Sequence, residues 1–524
     1  MKILNRFHLH PYLIGIFPVL SLFAHNQSQL EPGASWRSLA VIMAGTTIVF
    51  IVLRLFFKDW GKASFVTSYA SLLFFLYNPL RLTLYDRPFS KINLGWNTYF
   101  LPLWMLILVF GIWVIVKKLP RTENTTQIFN LVALSTLLLP LVSIVSFSTN
   151  DYLGKRSFVQ VSHGLTEQNT VAVTNRPDVY YIILDMYGRF DTIKEEFGYD
   201  NSQFLKELRN QGFYVASCST SNYSHTALSM ASSLNMNFLP ALGDNFVPGN
   251  TDYSNADAAI ENNVVRRYLK EYGYSFVSFE SGFPYVDIPD ADVYIKMSKL
   301  ERKNNIQPFE LLLIEQTPMK IFMDEIDSYN EVRSVRSYGT NYDRTLFILE
   351  KLPQIPIKIS GPKFVYAHLI IPHPPYVFGP HGEYVGNDKG LNDGPNHAPV
   401  DEAAYHLGYT NQLSYIDSVL PDILKQIVSR SETPPVIIIQ GDHGFWGAPE
   451  KRLPILNAYY LPGKDANQLL YPSITPVNSF RVILNTYFGG QFELLPDEKY
   501  PTVDDQDFYH VKQMDADAIE CNSK

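Results

Sequence analysis

Cysteine is almost absent: 524 residues contain two, Cys218 and Cys521. That excludes a disulfide framework and a thiolate zinc site, and leaves one bridge at most. Charge is also sparse, at 18% of residues against 46% hydrophobic, so the chain is not disordered. No stretch is collagen-like, heptad-repeated or low in complexity. The later part of the chain lacks the Lys/Arg excess that phosphate-backbone binding needs, which argues against nucleic acid as a partner.

What is present is divided unevenly. Residues 1–150 carry 12 Lys/Arg and 4 Asp/Glu, and the remainder 31 and 47, a net +8 followed by −16. Five of the six Trp (Trp36, Trp60, Trp96, Trp104, Trp113) lie in the first part, so the mean hydropathy of −0.05 averages an apolar, basic segment with a polar, acidic one. Apolar runs at residues 9–24, 36–57, 63–84, 97–116 and 127–148 approach the ~20 residues that cross a bilayer, the first being the shortest. Leu101–Val116 has no charged residue, unlike an amphipathic soluble helix. The expectation is a five-helix transmembrane anchor over 1–150. Basic residues before the first run (Lys2, Arg6), after the second (Lys58, Lys62) and after the fourth (Lys117, Lys118, Arg121) place those loops in the cytoplasm, with Arg87 and Lys91 as weak dissent. Everything past the fifth run then lies outside the cytoplasmic (inner) membrane. Reading the first run as a cleaved signal leaves four spans and the same placement.

Residues 151–177 read as a linker and 178–524 as an extracytoplasmic domain. From Val179 onward, continuous apolar runs (Val179–Leu184, Phe213–Ser217, Ser275–Phe279, Phe364–Ile371, Val436–Ile439) alternate with helical segments (Ser202–Asn210, Ala256–Glu271, Tyr342–Leu352, Glu402–Val428), an α/β pattern with a largely parallel sheet. Ligands of such sheets sit beyond the strands' carboxyl ends. There the first run leads into Asp185, the second into Ser224-His-Thr-Ala-Leu-Ser229, and the last into Gly441-Asp-His-Gly444. Singly, each of these has an ordinary reading as a cap or turn.

Together, Tyr181–Arg189, Asn222–Asn235, Ala367–Tyr376, Tyr409–Asp417 and Gly441–Gly444 resemble, in order, the metal-site segments of the alkaline phosphatase superfamily in its sulfatase-like branch. The helical first part resembles the anchors of lipoteichoic acid synthases and lipid A phosphoethanolamine transferases. The resemblance implies a sulfatase-like hydrolase or phosphotransferase with Thr226 as nucleophile, one divalent metal, Zn or Mn, on Asp185, Thr226, Asp442 and His443, and His373 at the transferred phosphate or the leaving oxygen. Ser224 is the competing nucleophile. His368 and His381 are candidates to support substrate, and Arg189 either caps the first turn or binds the substrate anion. Three departures narrow the reading. Formylglycine sulfatases need Cys or Ser followed by x-Pro-x-Arg, which neither Cys218–Asn222 nor Ser224–Leu228 provides; Asp185 stands where the synthases and transferases have Glu; and only His510 follows the Asp-His-Gly, so one metal is expected. The implied activity moves a phospho-headgroup from a membrane lipid to a glycan or lipid acceptor, or to water, with simple ester hydrolysis or a catalytically silent envelope scaffold as alternatives. Specificity is expected in the segments 284–338 and 379–399.

Overall fold

The computed structural model describes residues 7–27, 30, 33–85, 94–119, 123–163, 176–250, 254–297, 308–324, 340–386, 388, 390–392, 399–504, 507–515 and 518–521. Lys2, Arg6, Arg87, Lys91 and Arg121, and residues 298–307, 325–339 and 393–398 of the two segments expected to set specificity, lie outside them. Two compact units form, one from Met1–Thr149 with Asn304–Arg336 and the other from Asn150–Lys303 with Ser337–Lys524.

The first unit contains α1 (His10–Asn26), α2 (Trp36–Phe57), α3 (Trp60–Tyr85), α4 (Asn97–Lys117) and the part of α5 (Glu123–His163) up to Thr149. Among the described residues, three helices are long and apolar enough to cross a membrane by length and composition: α2, α4 and the Asn124–Thr149 stretch of α5. The five spans expected from the sequence thus have three counterparts of that kind among the described residues. With 17 residues, α1 is short. In α3 the apolarity is diluted by Ser64, Thr67, Ser68 and Asn78, which are buried against neighbouring helices. The lipid-facing pattern belongs instead to α2 and α4, whose Val41, Ile48, Val52, Leu106 and Phe110 are exposed. Helix α5 runs on to His163, through residues expected to be linker.

Residues from the later sequence join this unit. In α11 (Pro308–Glu315), Phe309 is buried edge-on against Phe23 at 6.2 Å, Glu310 pairs with Arg37, and the Asn78 amide donates to Glu315 O at 2.7 Å. Short α12 (Met319–Asp324) follows. Residues 304–336 thus group with the helices, although the sequence pattern assigned them to the catalytic domain.

The second unit is built on a seven-stranded sheet of order β2-β7-β6-β1-β5-β3-β4: β1 (Val179–Leu184), β2 (Tyr214–Val215), β3 (Ser275–Phe279), β4 (Val293–Ile295), β5 (Lys363–Leu369), β6 (Val436–Gln440) and β7 (Asn457–Tyr460). Only β7 is antiparallel to its neighbours, so the sheet is mixed but largely parallel. The central strand shows why continuous apolar runs are needed: Val179, Tyr181 and Ile183 enter one core and Tyr180, Ile182 and Leu184 the other, all fully buried. Burying each such side chain contributes about 1.5–3 kcal/mol.

One face is covered by α8 (Thr226–Asn235), α9 (Ser254–Glu261), α10 (Val264–Glu271) and α17 (Pro476–Phe488). The other carries α6 (Phe190–Phe197), α7 (Ser202–Asn210), α13 (340–351) and α15 (Glu402–Arg430), with a single turn at α14 (Ile355–Lys358), while the single turn α16 (Ala466–Leu469) packs on the first face. The single helix expected over Ala256–Glu271 is two, because the Asn263 side chain accepts from Arg266 N at 2.7 Å and starts a new helix.

A small sheet of β8 (Thr502–Asp504) and β9 (Asp507–Val511) closes over the loop before α8. Tyr500 N donates to Asn222 O and Thr502 N to Ser224 Oγ, both at 2.8 Å. The two cysteines form a Cys218–Cys521 disulfide across 303 residues. Closing so long a loop restricts the unfolded chain, so Cys521→Ser should cost about 2–5 kcal/mol. Reductant should lower the melting temperature of the wild type and leave that of Cys521→Ser unchanged.

Candidate active site

The order β6-β1-β5 brings three carboxyl ends side by side. Asp185 follows β1, Asp442 and His443 follow β6, and Thr226 is the first residue of α8. Asp185, Asp442 and His443 each offer a ligand atom within 4.8 Å of the others, and all three are buried. Thr226 Oγ1 lies 3.1 Å from His443 Nε2, while His443 Nδ1 donates to Gly444 O at 2.7 Å and so keeps Nε2 bare. Asp185 Oδ1 and Asp442 Oδ2 are buried without a hydrogen-bond partner. Two orphaned carboxylate oxygens beside a bare imidazole nitrogen would be costly without a cation, and this oxygen- and nitrogen-rich set fits one divalent metal.

The surrounding contacts fix these atoms. Asp442 Oδ1 accepts from Met186 N at 3.0 Å, and Ser229 Oγ donates to Asp442 O at 2.6 Å, tying α8 to the β6 loop. Met186 has φ +69°, a strained conformation for a side chain of this size. Tyr409 holds it: its hydroxyl donates to Met186 O at 2.9 Å and accepts from Gly188 N at 3.2 Å. Gly441 has no alternative residue, since a Cβ there would lie 2.3 Å from Tyr187 O.

His368 backs Asp185, its Nε2 lying 3.2 Å from Oδ2. Burial alone would raise the Asp185 pKa, but the charge of His373, the hydrogen bond and charge of His368, and the charge of His443 together lower it. Burial lowers the His368 pKa, and its hydrogen bond to Asp185 together with the charges of Asp185, Asp442 and Asp287 outweighs that and raises it. His373 N donates to Asp185 O at 3.2 Å, and its half-buried ring stands edge-on between Phe283 (5.5 Å) and Trp446 (6.0 Å). Gln412 Nε2 donates to His373 O at 3.1 Å.

Other candidates are placed elsewhere. Ser224 Oγ accepts from Thr502 N, so it is turned to the C-terminal hairpin while Thr226 faces His443. Arg189 is buried at the N-cap position of α6 without a side-chain capping bond, its Nε and Nη2 on Asp191 at 2.7 and 2.9 Å and Nη2 also on Glu520 O at 2.7 Å. His381 is exposed, its N–H on Glu383, and among the described residues no contact links it to the cluster.

Sequence reasoning quoted the Tyr409–Asp417 helix without a role. It positions the site: Tyr409 and Gln412, three apart on α15, reach the Asp185 and His373 loops, and Asp417 accepts from Tyr187 at 2.7 Å and Tyr199 at 3.0 Å. Burial raises the Asp417 carboxyl to about 7, with Tyr187 and Tyr199 opposing. Its folded-state pKa exceeds the unfolded value of about 4, so its contribution to stability is full below pH 4 and lost as pH rises through 7. Asp417→Asn mimics the protonated form and should melt above the wild type at pH 8, the gap narrowing as pH falls below 7 and closing below about pH 4, as followed by a thermal scan at each pH.

The structure is similar to the C-terminal periplasmic domain of EcEptC from Escherichia coli in complex with Zn, at 12% identity and TM-score 0.42, over 66% of this chain and 94% of that one. It is also similar to the integral membrane lipooligosaccharide phosphoethanolamine transferase A from Neisseria meningitidis (13%, 0.39, 93% and 95%) and to the phosphonate monoester hydrolase of Agrobacterium radiobacter (12%, 0.38, 62% and 80%). No family model matches the chain, and no curated protein matches its sequence. Identities and TM-scores this low leave the chemistry to be argued from the residues themselves.

Proposed function

We propose that this protein is a membrane-anchored, metal-dependent transferase or hydrolase that acts outside the cytoplasm on a lipid-linked phosphodiester. The observation that carries the reading is the convergence of Asp185, Asp442 and His443, each with a ligand atom within 4.8 Å of the others, with His443 Nε2 3.1 Å from the hydroxyl at the start of α8. A Zn²⁺ or Mn²⁺ ion held by Asp185, Asp442, His443 and the Thr226 oxygen would supply Lewis-acid stabilisation of negative charge at that hydroxyl and at the phosphoryl group.

The chain's own residues do the rest. Thr226 Oγ1 attacks phosphorus as its proton passes to solvent, the bond from phosphorus to the lipid oxygen breaks, and that oxygen takes a proton from solvent as it leaves as the alcohol. The leading N–H groups of α8 have no acceptor within the helix and are available to a phosphoryl oxygen. His373 presents Nε2 to the leaving oxygen, held by Gln412 and walled by Phe283 and Trp446. The phospho-threonine then passes its group to a glycan or lipid hydroxyl, or to water. An anchor suits a donor that stays in the bilayer, because tethering raises the local concentration.

Mass spectrometry of protein quenched during turnover should find an adduct on Thr226 whose mass gives the transferred group. An adduct on Ser224 instead, or none under burst conditions, would reject the reading. Release of a diacyl product from phospholipid, rather than phosphate from nitrophenyl phosphate, separates it from monoester hydrolysis.

A further inference from the structure

The helical unit contains a cavity of about 420 Å³, in the size range of small-molecule sites. It opens among the helix ends where α1, α3 and α5 begin and α4 finishes, lined by Ile14, Phe65, Ser68, Leu72, Ile115 and Phe129 among others. In its wall Tyr69 packs directly on the Gly111 backbone. A Cβ there would fall 2.2 Å from the ring of Tyr69, which crosses α4 at this point with its hydroxyl on Ile107 O at 2.7 Å.

Two further features set this cavity apart from a packing defect. One is polar: Ser68, in its wall, bonds His10 Nδ1 at 2.6 Å, and His10 is fully buried, stacked on Phe65 at 5.0 Å, with Nε2 unpartnered. A buried ionisable residue with an unmet hydrogen bond inside a membrane bundle marks a functional position. The other is charge. Lys117 and Lys118 are exposed between Ile115 and Leu119, both lining residues, and Lys62 lies one turn before Phe65. Three lysines thus stand within a turn of lining residues, and the lining is apolar apart from Ser68 and Tyr69.

We propose that this cavity is a lipid site holding one acyl chain of an anionic phospholipid, with its phosphate group at Lys62, Lys117 and Lys118. An acyl chain gains no hydrophobic free energy by leaving the bilayer for an apolar pocket, so discrimination between lipids falls to the head group. Three lysines, each favouring an anionic head by about 1 kcal/mol, give about a hundred-fold preference. The site lies in the helical unit, whereas the proposed chemistry belongs to the sheet unit.

The test is native mass spectrometry of the full chain, delipidated in detergent and titrated with phosphatidylglycerol or phosphatidylcholine of identical chains. One phosphatidylglycerol should be retained with about hundred-fold preference. Lys117→Gln with Lys118→Gln, at exposed positions, should cut that preference roughly twenty-five-fold. Leu72→Trp, which fills the cavity, should abolish retention of either lipid. Equal retention of both lipids, preference unchanged in the lysine double variant, or competition by inorganic phosphate alone would overturn the proposal. The readout is binding, so it stands apart from the fate of the Thr226 reaction.

Discussion

Thr226→Ala is expected to lower turnover of a phospholipid donor by about a thousand-fold or more, with the protein still folded. The separation of the two effects follows from position. Thr226 is the first residue of α8, where alanine is a good helix former, and its hydroxyl contact is His443 Nε2. Nothing in the core depends on that oxygen, so the melting temperature should hold within the ~0.5 kcal/mol expected of a benign substitution. Thr226→Ser keeps the hydroxyl and should retain part of the activity, and the covalent adduct should move to the serine oxygen. Substantial turnover in Thr226→Ala would sink the nucleophile assignment, whereas joint loss of fold and activity in both variants would expose a structural role. Release of labelled diacyl product, measured with a parallel thermal scan, distinguishes these results.

The second large effect is expected from Asp442→Asn. The substitution preserves an acceptor for Met186 N and so spares the strained turn after β1, but it removes one of two orphaned carboxylate charges. Metal affinity should fall by at least about a hundred-fold, more than the effect typical of residues that only orient a ligand, and turnover should fall with it. Elemental analysis of the purified chain should find one divalent ion per wild-type molecule and well under one in Asp442→Asn. A chelator should reproduce the loss in the wild type, and added Zn²⁺ or Mn²⁺ should reverse it. Full metal content in the variant would refute the ligand set.

The parts of the fold that could be read in advance were those imposed by burial on both faces. Runs such as Val179–Leu184 and Val436–Gln440 have no polar side to confuse with a helix, and their ends put Asp185 and Asp442 in view. Weak local signals hid the rest. The edge strand β4 has three residues and β7 four. In α3 polar residues face inward, so periodicity suggested a span while the composition fell short of one. The placement of 304–336 with the bundle depends on Phe309 meeting Phe23 and Glu310 meeting Arg37, contacts nearly 300 residues apart that carry no local pattern. The site's supports behaved similarly: Tyr409, Gln412 and Asp417 sit at helical spacing like any core face, and only the tertiary structure shows them gripping loops from β1 and β5.

The disulfide sets an order of events during biosynthesis. Cys218 emerges from the ribosome 303 residues ahead of its partner, so the segment carrying Thr226 must wait as a free thiol while the central sheet is still being made. Residues 500 and 502, which clasp Asn222 and Ser224, arrive equally late. Maturation of the Thr226 loop therefore waits until residue 521 has been made, and an oxidising compartment is needed at that point. A chain stalled before residue 521 would carry every proposed metal ligand and still lack the seal on the loop that presents its hydroxyl.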